Sequence, residues 1–325
     1  MTTRRQFLLA SALGALAPAC AFGQTRPVKV CILSNRRTDA RSNIGPGLFG
    51  RLAELGYRDG TTMILEFRSA DGSVDRLPKL ARELIDLKCD VIFAIGPEQT
   101  ARALQDARAS APIVFLATVY DPVEKGIVAS FRSPDRNTTG VYVPENALVA
   151  KRVEIMREVL PAARRFFVLT DVPSAGQVGA ARKAAETAGV QLRVIEFSKL
   201  PYDFAGAFEE ARKAGGEALI GLRSAVFSDN QAAISALLAK HRLPGIGASF
   251  AQANAGFLLG LSVENTKVAR RVAEIGARIL KGARPADIPV EQADEFELTV
   301  NAKTARALGI KVPESVFARA TRIVQ

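Results

Sequence analysis

From Val28 onward, short apolar runs alternate with longer stretches in which apolar residues recur every three or four positions. The runs read as strands covered on both faces, and the three-to-four spacing reads as helices that bury one stripe. Strands are predicted over 28–33, 63–67, 91–95, 113–116 and 140–143, then over 166–169, 192–196, 218–221, 245–248 and 257–261. Helices are predicted over 77–87, 149–160, 175–188 and 232–241, with a later helix over 268–280, a strand over 296–300 and a helix over 302–308. Strand and helix alternating through the whole chain is the pattern of parallel sheets sandwiched by helices, so the fold class is α/β.

The two halves repeat one another. Asp75-Arg76-Leu77 leads through Ala81-Arg82-Glu83-Leu84 to Asp90-Val91-Ile92-Phe93-Ala94-Ile95-Gly96. Asp203-Phe204-Ala205 leads through Phe208-Glu209-Glu210-Ala211-Arg212 to Glu217-Ala218-Leu219-Ile220-Gly221. Each then passes through a helix into a strand that follows a proline, Pro112 or Pro244. Such a period-wide match predicts two copies of one supersecondary layout. The expected architecture is two similar doubly wound parallel-sheet lobes joined by a hinge. The first comprises 28–143 plus a returning segment over 262–285, the second 144–261, and 286–325 carries a strand and a helix that the pattern assigns to neither lobe. Parallel sheets of this kind receive ligands beyond the carboxyl ends of their strands, so two of them facing each other form a cleft that closure seals.

The stretch 1–23 differs in kind. Arg4 and Arg5 precede an Ala/Leu run from Phe7 to Ala17 without an acidic residue, followed by small residues. That is the layout of a cleaved export signal and too short to span a bilayer. Thr3-Arg4-Arg5-Gln6-Phe7-Leu8 looks like a twin-arginine signal. Cys20 is a possible lipid-attachment point, but the leucine three places before it is missing, so a free periplasmic protein is expected. After cleavage Cys31 and Cys89 remain, read first as two buried small side chains; a disulfide between them is tolerated in an oxidising compartment, but two cysteines make no framework. The net charge of +11, which loses two with Arg4 and Arg5, is spread along helices among acidic residues, with 6% aromatics. Solvated helix faces account for it, and no nucleic-acid partner is expected.

Catalytic chemistry finds little support. Gly45-Pro46-Gly47-Leu48-Phe49-Gly50 has the glycine spacing of a dinucleotide loop, but eleven residues separate it from its strand and Pro46 lacks an N–H. It is read as a flexible loop entering a helix. The one histidine, His241, ends a helix and is read as a C-terminal cation there. No phosphate loop, nucleophile elbow or zinc-spaced cysteine pair is present. Asp121, Glu124 and Asp171 are carboxylates without a spacing that favours acid–base work. No enzyme activity, cofactor or metal is expected.

Leu52-Ala53-Glu54-Leu55-Gly56-Tyr57, Asp75-Arg76-Leu77-Pro78 and Ile113-Val114-Phe115 with Tyr120-Asp121-Pro122-Val123 resemble the ABC-transporter substrate-binding family related to tryptophan-binding lipoproteins. Asn137-Thr138-Thr139-Gly140, Ala239-Lys240-His241-Arg242-Leu243-Pro244, the run from Ile279 to Gln292 and Phe296-Glu297-Leu298 are similar to it in order and spacing. The resemblance implies a type I periplasmic-binding fold, a small-molecule ligand, an ABC permease as partner, and cleft residues on strand-end loops. On this chain those are Ser34, Asn35, Gly96, Pro97, Glu98, Tyr120 and Asp121 in the first lobe, and Thr170, Asp171, Arg223, Ser224 and Ser249 in the second. Arg223 departs from the family's pattern, and Gly256-Phe257-Leu258-Leu259-Gly260-Leu261 lacks its Tyr-Gly ending. The guanidinium of Arg223 is matched to a ligand carboxylate, with a salt bridge to Glu98 or Asp121 as its ordinary alternative. Tyr120 is given an apolar or aromatic part of the ligand to stack on. The expected function is capture of a small solute, such as an amino acid, for an importer by a monomer. A periplasmic sensor module feeding a regulator shares every one of these features.

Overall fold

The computed structural model describes residues 26–35, 45–134 and 137–325. The export signal expected over 1–23, with Arg4, Arg5 and Cys20, lies outside the described residues. In chain order, the first half contains β1 (Val28–Ser34), α1 (Gly45–Glu54), β2 (Met63–Ser69), α2 (Leu77–Asp86), β3 (Val91–Gly96), α3 (Glu98–Asp106), β4 (Ile113–Ala117) and β5 (Thr138–Tyr142). The second contains α4 (Glu145–Val159), β6 (Arg165–Asp171), α5 (Val178–Thr187), β7 (Gln191–Phe197), α6 (Phe204–Lys213), β8 (Ala218–Ile220), α7 (Ala225–Asp229), α8 (Gln231–Lys240), β9 (Gly245–Gly247), α9 (Phe250–Ala255) and β10 (Leu259–Val263). The chain ends with α10 (Asn265–Leu280), β11 (Glu291–Gln292), β12 (Phe296–Asn301), α11 (Ala302–Leu308), α12 (Glu314–Arg319) and β13 (Arg322–Val324).

Two separate sheets form, in the orders β2-β1-β3-β4-β5-β11 and β7-β6-β8-β9-β10-β12-β13. The first five strands of each follow the same order, so the repeat in sequence is a repeat in topology. All pairings are parallel except β10 with β12, where Leu259 faces Val300. Central strands are apolar throughout and buried on both faces, as from Val91 to Ile95. The outer strands β2 and β7 carry Glu66, Arg68, Arg193 and Glu196 and are partly exposed, which protects their unpaired edges.

Helices cover the sheets through narrow apolar stripes. In α2, Leu77, Leu80, Ala81 and Leu84 are buried, and Pro78 sits in the first turn where its missing N–H costs nothing. Helix α10 leaves the second sheet after β10 and packs on the first against Phe93, where Gly276 gives the ring room: a Cβ there would lie 2.4 Å from Phe93 Cζ. One apolar cluster runs through both lobes, from Val30, Phe93 and Ile275 to Val149, Phe166 and Ile246. The opposite faces have their own clusters, around Phe115 and Leu84 in one lobe and Phe208 and Leu219 in the other. The chain crosses between the sheets three times, from β5 to α4, β10 to α10 and β11 to β12. Thus β12 and β13 belong to the second sheet while β11 stays with the first.

Four readings of the sequence are corrected. The glycines of Gly45 to Gly50 lie inside α1, not in a loop: Gly47 packs so tightly on α10 that a Cβ would stand 2.7 Å from Ala269 Cβ and from Thr266 O. Cys31 and Cys89 are joined in a disulfide beneath α2, with Cα atoms 6.0 Å apart. The helix predicted over 175–188 begins as a 3₁₀ turn over Val172–Gln177 because Asp171 caps it. The strand predicted over 140–143 starts at Thr138, where buried Thr139 Oγ1 donates to Ile288 O at 2.8 Å and ties the returning segment down.

Candidate functional site

In both sheets the strand order reverses beside the first strand of the repeat, between β1 and β3 and between β6 and β8. Connections leave these neighbours to opposite faces and open a crevice at their carboxyl ends, where ligands of such sheets sit. Asn35 and the start of α3 flank the crevice of the first lobe. Asp171 and the segment after β8, Leu222-Arg223-Ser224, flank that of the second.

The second lobe carries a dense polar network. Asp171 is 2% exposed and accepts hydrogen bonds from Ser174 N at 3.1 Å, Ser174 Oγ at 2.6 Å, Ser224 Oγ at 2.5 Å and Tyr202 OH at 3.5 Å. All four donors are neutral, and no cation among the described residues reaches it. Thr170 is buried against Ser174, its Oγ1 at 3.2 Å from Ser174 Oγ. Tyr202 stacks on Phe197, with centroids 4.6 Å apart, and burial raises its hydroxyl above the ordinary tyrosine value, with Asp171 adding to the effect.

Arg223 is held by its backbone and by its side chain. Its N–H donates to Gln177 Oε1 at 2.8 Å, and Gln177 Nε2 donates to its carbonyl at 2.9 Å. Its Nε donates to Glu145 Oε2 at 2.9 Å. The salt bridge is therefore to Glu145, not to Glu98 or Asp121. Glu145 also pairs with fully buried Arg152 at 2.6 Å, and Arg152 donates to the carbonyls of Gly221 at 3.2 Å and Leu261 at 2.9 Å. Burial lowers the pKa of Arg152 while Glu145 opposes it. Two cations thus share one carboxylate, and Arg223 Nη2 is buried with no acceptor.

In the first lobe, Gly96 ends β3 at φ +144°, a conformation reserved for glycine, and presents its bare side to Asn35 and Thr100. Pro97 caps α3, and Glu98 opens the helix, 4.0 Å from Arg102. Ser34 is buried at the end of β1. Tyr120 lies within the outer core, its hydroxyl pKa raised by burial, and it lines a small pocket. Asp121 caps its own turn by accepting from Val123 N and Glu124 N. That pocket spans the lobes, since Tyr142 and Glu145 line it with Gly176 of the second lobe. Ser249 caps α9 through Gln252 N at 3.2 Å.

Six buried side-chain atoms among the described residues lack a hydrogen-bond partner. Three of them, on Glu145, Glu291 and His241, lie within 4 Å of Arg152, Arg271 and Glu209 respectively. The other three are Asn35 Oδ1, Thr100 Oγ1 and Arg223 Nη2. All three lie at the two strand-order reversals. Buried polar groups are almost always paired, so these three atoms single out the two crevices as the candidate site. A wider groove lies at the interlobe crossings between α10 and 291–295, lined by matched ion pairs such as Lys267 with Glu295 at 2.6 Å. No cluster of metal-ligating side chains occurs among the described residues.

Glu145, Arg152, Gln177, Tyr202 and Thr100 escaped the sequence reading. Arg152 left a signal, a charge in the apolar phase of a helix between Val149 and Val153. The others left none.

A sequence model for "ABC transporter substrate binding protein" matches residues 29–324. A tyrosine-binding protein of Clostridioides difficile is 25% identical over 303 residues, covering 85% of this chain and 84% of that one. Among solved structures, a conserved domain protein of Vibrio cholerae is 25% identical with a TM-score of 0.81, over 92% of this chain and 100% of the other. The ABC domain of Streptococcus pneumonia in complex with L-Trp has a TM-score of 0.80 at 22% identity, over 91% of this chain and 99% of that one.

Proposed function

The chain belongs to the ABC transporter substrate-binding protein family, and from that premise we propose that it captures an amino acid or similar small carboxylate between its lobes for an ABC importer. The observation that carries this reading is the charge imbalance of the second lobe. Arg152 and Arg223 share Glu145, and the free Nη2 of Arg223 offers a fixed, desolvated donor to a second carboxylate. Beside it, the buried carboxyl group of Asp171 accepts from neutral donors alone, which suits a ligand ammonium. The two charges are neighbours in space, since Ser224, which bonds Asp171, directly follows Arg223 on the chain. The tyrosine named for the relative and the tryptophan in the structural neighbour carry this pair of groups.

Export to the periplasm on the twin-arginine segment is part of the proposal. The Cys31–Cys89 disulfide supports it, because such bonds persist in oxidising compartments. A thermal-shift screen of amino acids and simple carboxylates tests the ligand class, since a ligand of the folded state raises its melting temperature. Titration calorimetry of Arg223→Ala with the best binder is expected to show a loss of about 2–5 kcal/mol, the cost of removing one member of a buried charge pair. No shift with any carboxylate, or unchanged affinity in the variant, overturns the reading.

A further inference from the structure

We infer that Asn35 and Thr100 form a hydroxyl-recognising subsite in the first lobe, which selects ligands bearing an alcohol or phenol away from the carboxylate. The inference rests on the proposed function for the ligand's other end and adds what the first lobe contributes. Thr100 is 1% exposed and occupies the first turn of α3, where side chains lean toward the helix N-terminus, here toward Gly96 and the crevice. A helical threonine ordinarily returns its hydroxyl to a carbonyl three or four residues back. Thr100 Oγ1 makes no such bond and has no other partner. Asn35 Oδ1 is orphaned on the same side of Gly96: a Cβ built there would lie 2.8 Å from Thr100 Oγ1 and 3.1 Å from Asn35 Cβ.

The chemistry of these groups selects the occupant. Asn35 Oδ1 accepts only, while the threonine hydroxyl both donates and accepts. A carboxylate would set oxygen against the Asn35 acceptor. An ammonium only donates and would leave the Thr100 hydroxyl proton without an acceptor. Pro97 supplies no N–H at that end, and the negative charge of Glu98 already answers the helix dipole, so nothing there calls for a second anion. A neutral hydroxyl, donating to Asn35 and exchanging a bond with Thr100, satisfies both orphans.

The test uses pairs of carboxylates that differ by one hydroxyl, L-tyrosine against L-phenylalanine and 4-hydroxybenzoate against benzoate, titrated into the purified protein by calorimetry. The hydroxylated member of a binding pair is expected to bind about 10- to 100-fold more tightly, as for a site whose buried polar groups are otherwise left unmet. Thr100→Val should abolish the preference and Thr100→Ser should retain it. Equal binding within a pair by the native protein, or a preference that survives both Thr100→Val and Asn35→Ala, overturns the inference. If neither pair binds, the amino-acid reading fails, and the subsite is then judged without ligand. An orphan hydroxyl replaced by a methyl of the same shape leaves the melting temperature unchanged or raised. A lowered melting temperature of Thr100→Val would mean a structural bond and would reject the subsite.

Discussion

Glu145 carries two jobs in one carboxylate: it neutralises Arg152, which has no exposure to water, and it fixes the direction of Arg223. Removing one partner of a buried pair leaves the other charge without compensation, at a typical cost of about 3–5 kcal/mol. Glu145→Gln is therefore expected to lose stability on that scale in urea unfolding, whereas Arg223→Met, which leaves the Arg152–Glu145 pair intact, should lose far less. Equal losses would mean that Arg152 is held by the carbonyls of Gly221 and Leu261 alone. At this scale the sequence was informative where the repeat gave a register, and that register put Arg223 at a strand end. It was silent on Glu145 because the helix was predicted to start at 149. The first turn, Glu145-Asn146-Ala147 after Pro144, has no apolar stripe to announce it, and its polar residue turned out to face a buried arginine. Asn35 was legible as a strand-end residue and Thr100 was not, since nothing in a sequence tells a threonine with an unmet hydroxyl from one bonded to its own helix.

Helices α1 and α10 make the most extensive helix contact of the first lobe, and Gly47 of α1 is what lets them approach. A methyl group at Gly47 would stand 2.7 Å from backbone Thr266 O and from Ala269 Cβ, so Gly47→Ala must push the helices apart. Overpacking of this kind costs typically 1–3 kcal/mol, about the size of the helix-propensity gain of up to ~1 kcal/mol or larger. Gly50, three residues later on the same helix, has nothing within 4 Å of its missing Cβ. Gly50→Ala is expected to raise the melting temperature and Gly47→Ala to lower it; the same sign for both would show that α1 and α10 are free to shift. The glycine spacing was visible in the sequence, but its reason lay more than two hundred residues downstream on α10. The strands, by contrast, were nearly all found, since an apolar run buried on both faces needs no distant partner to be recognised. Those that moved, β5 and β10, have boundaries set by side-chain bonds and by pairing with β12.

For the molecule as a whole, the duplication was legible because both copies keep one strand order, while the lobe of the C-terminal strand was not. β12 runs antiparallel to β10 and has no counterpart in the first repeat, and β11 is two residues long. The disulfide belongs to this scale as well, because it closes a loop of 58 residues that holds β1, α1, β2 and α2. Cross-links of this kind contribute about 2–5 kcal/mol, so reduction by dithiothreitol, or the Cys31→Ala, Cys89→Ala variant, should lower the melting temperature clearly. An unchanged melting temperature would show that the surrounding core holds without it. The crossing of α10 back onto the first sheet has a consequence for biosynthesis. The face of β3 that carries Phe93 is synthesised long before Asn265–Leu280, the helix that covers it. At about 5–20 residues per second the ribosome leaves that face open for on the order of ten seconds. A nascent chain stopped after β10 holds every strand of the repeat and still lacks the cover of its first half. That part of the surface is buried only once residues 265–280 have been made.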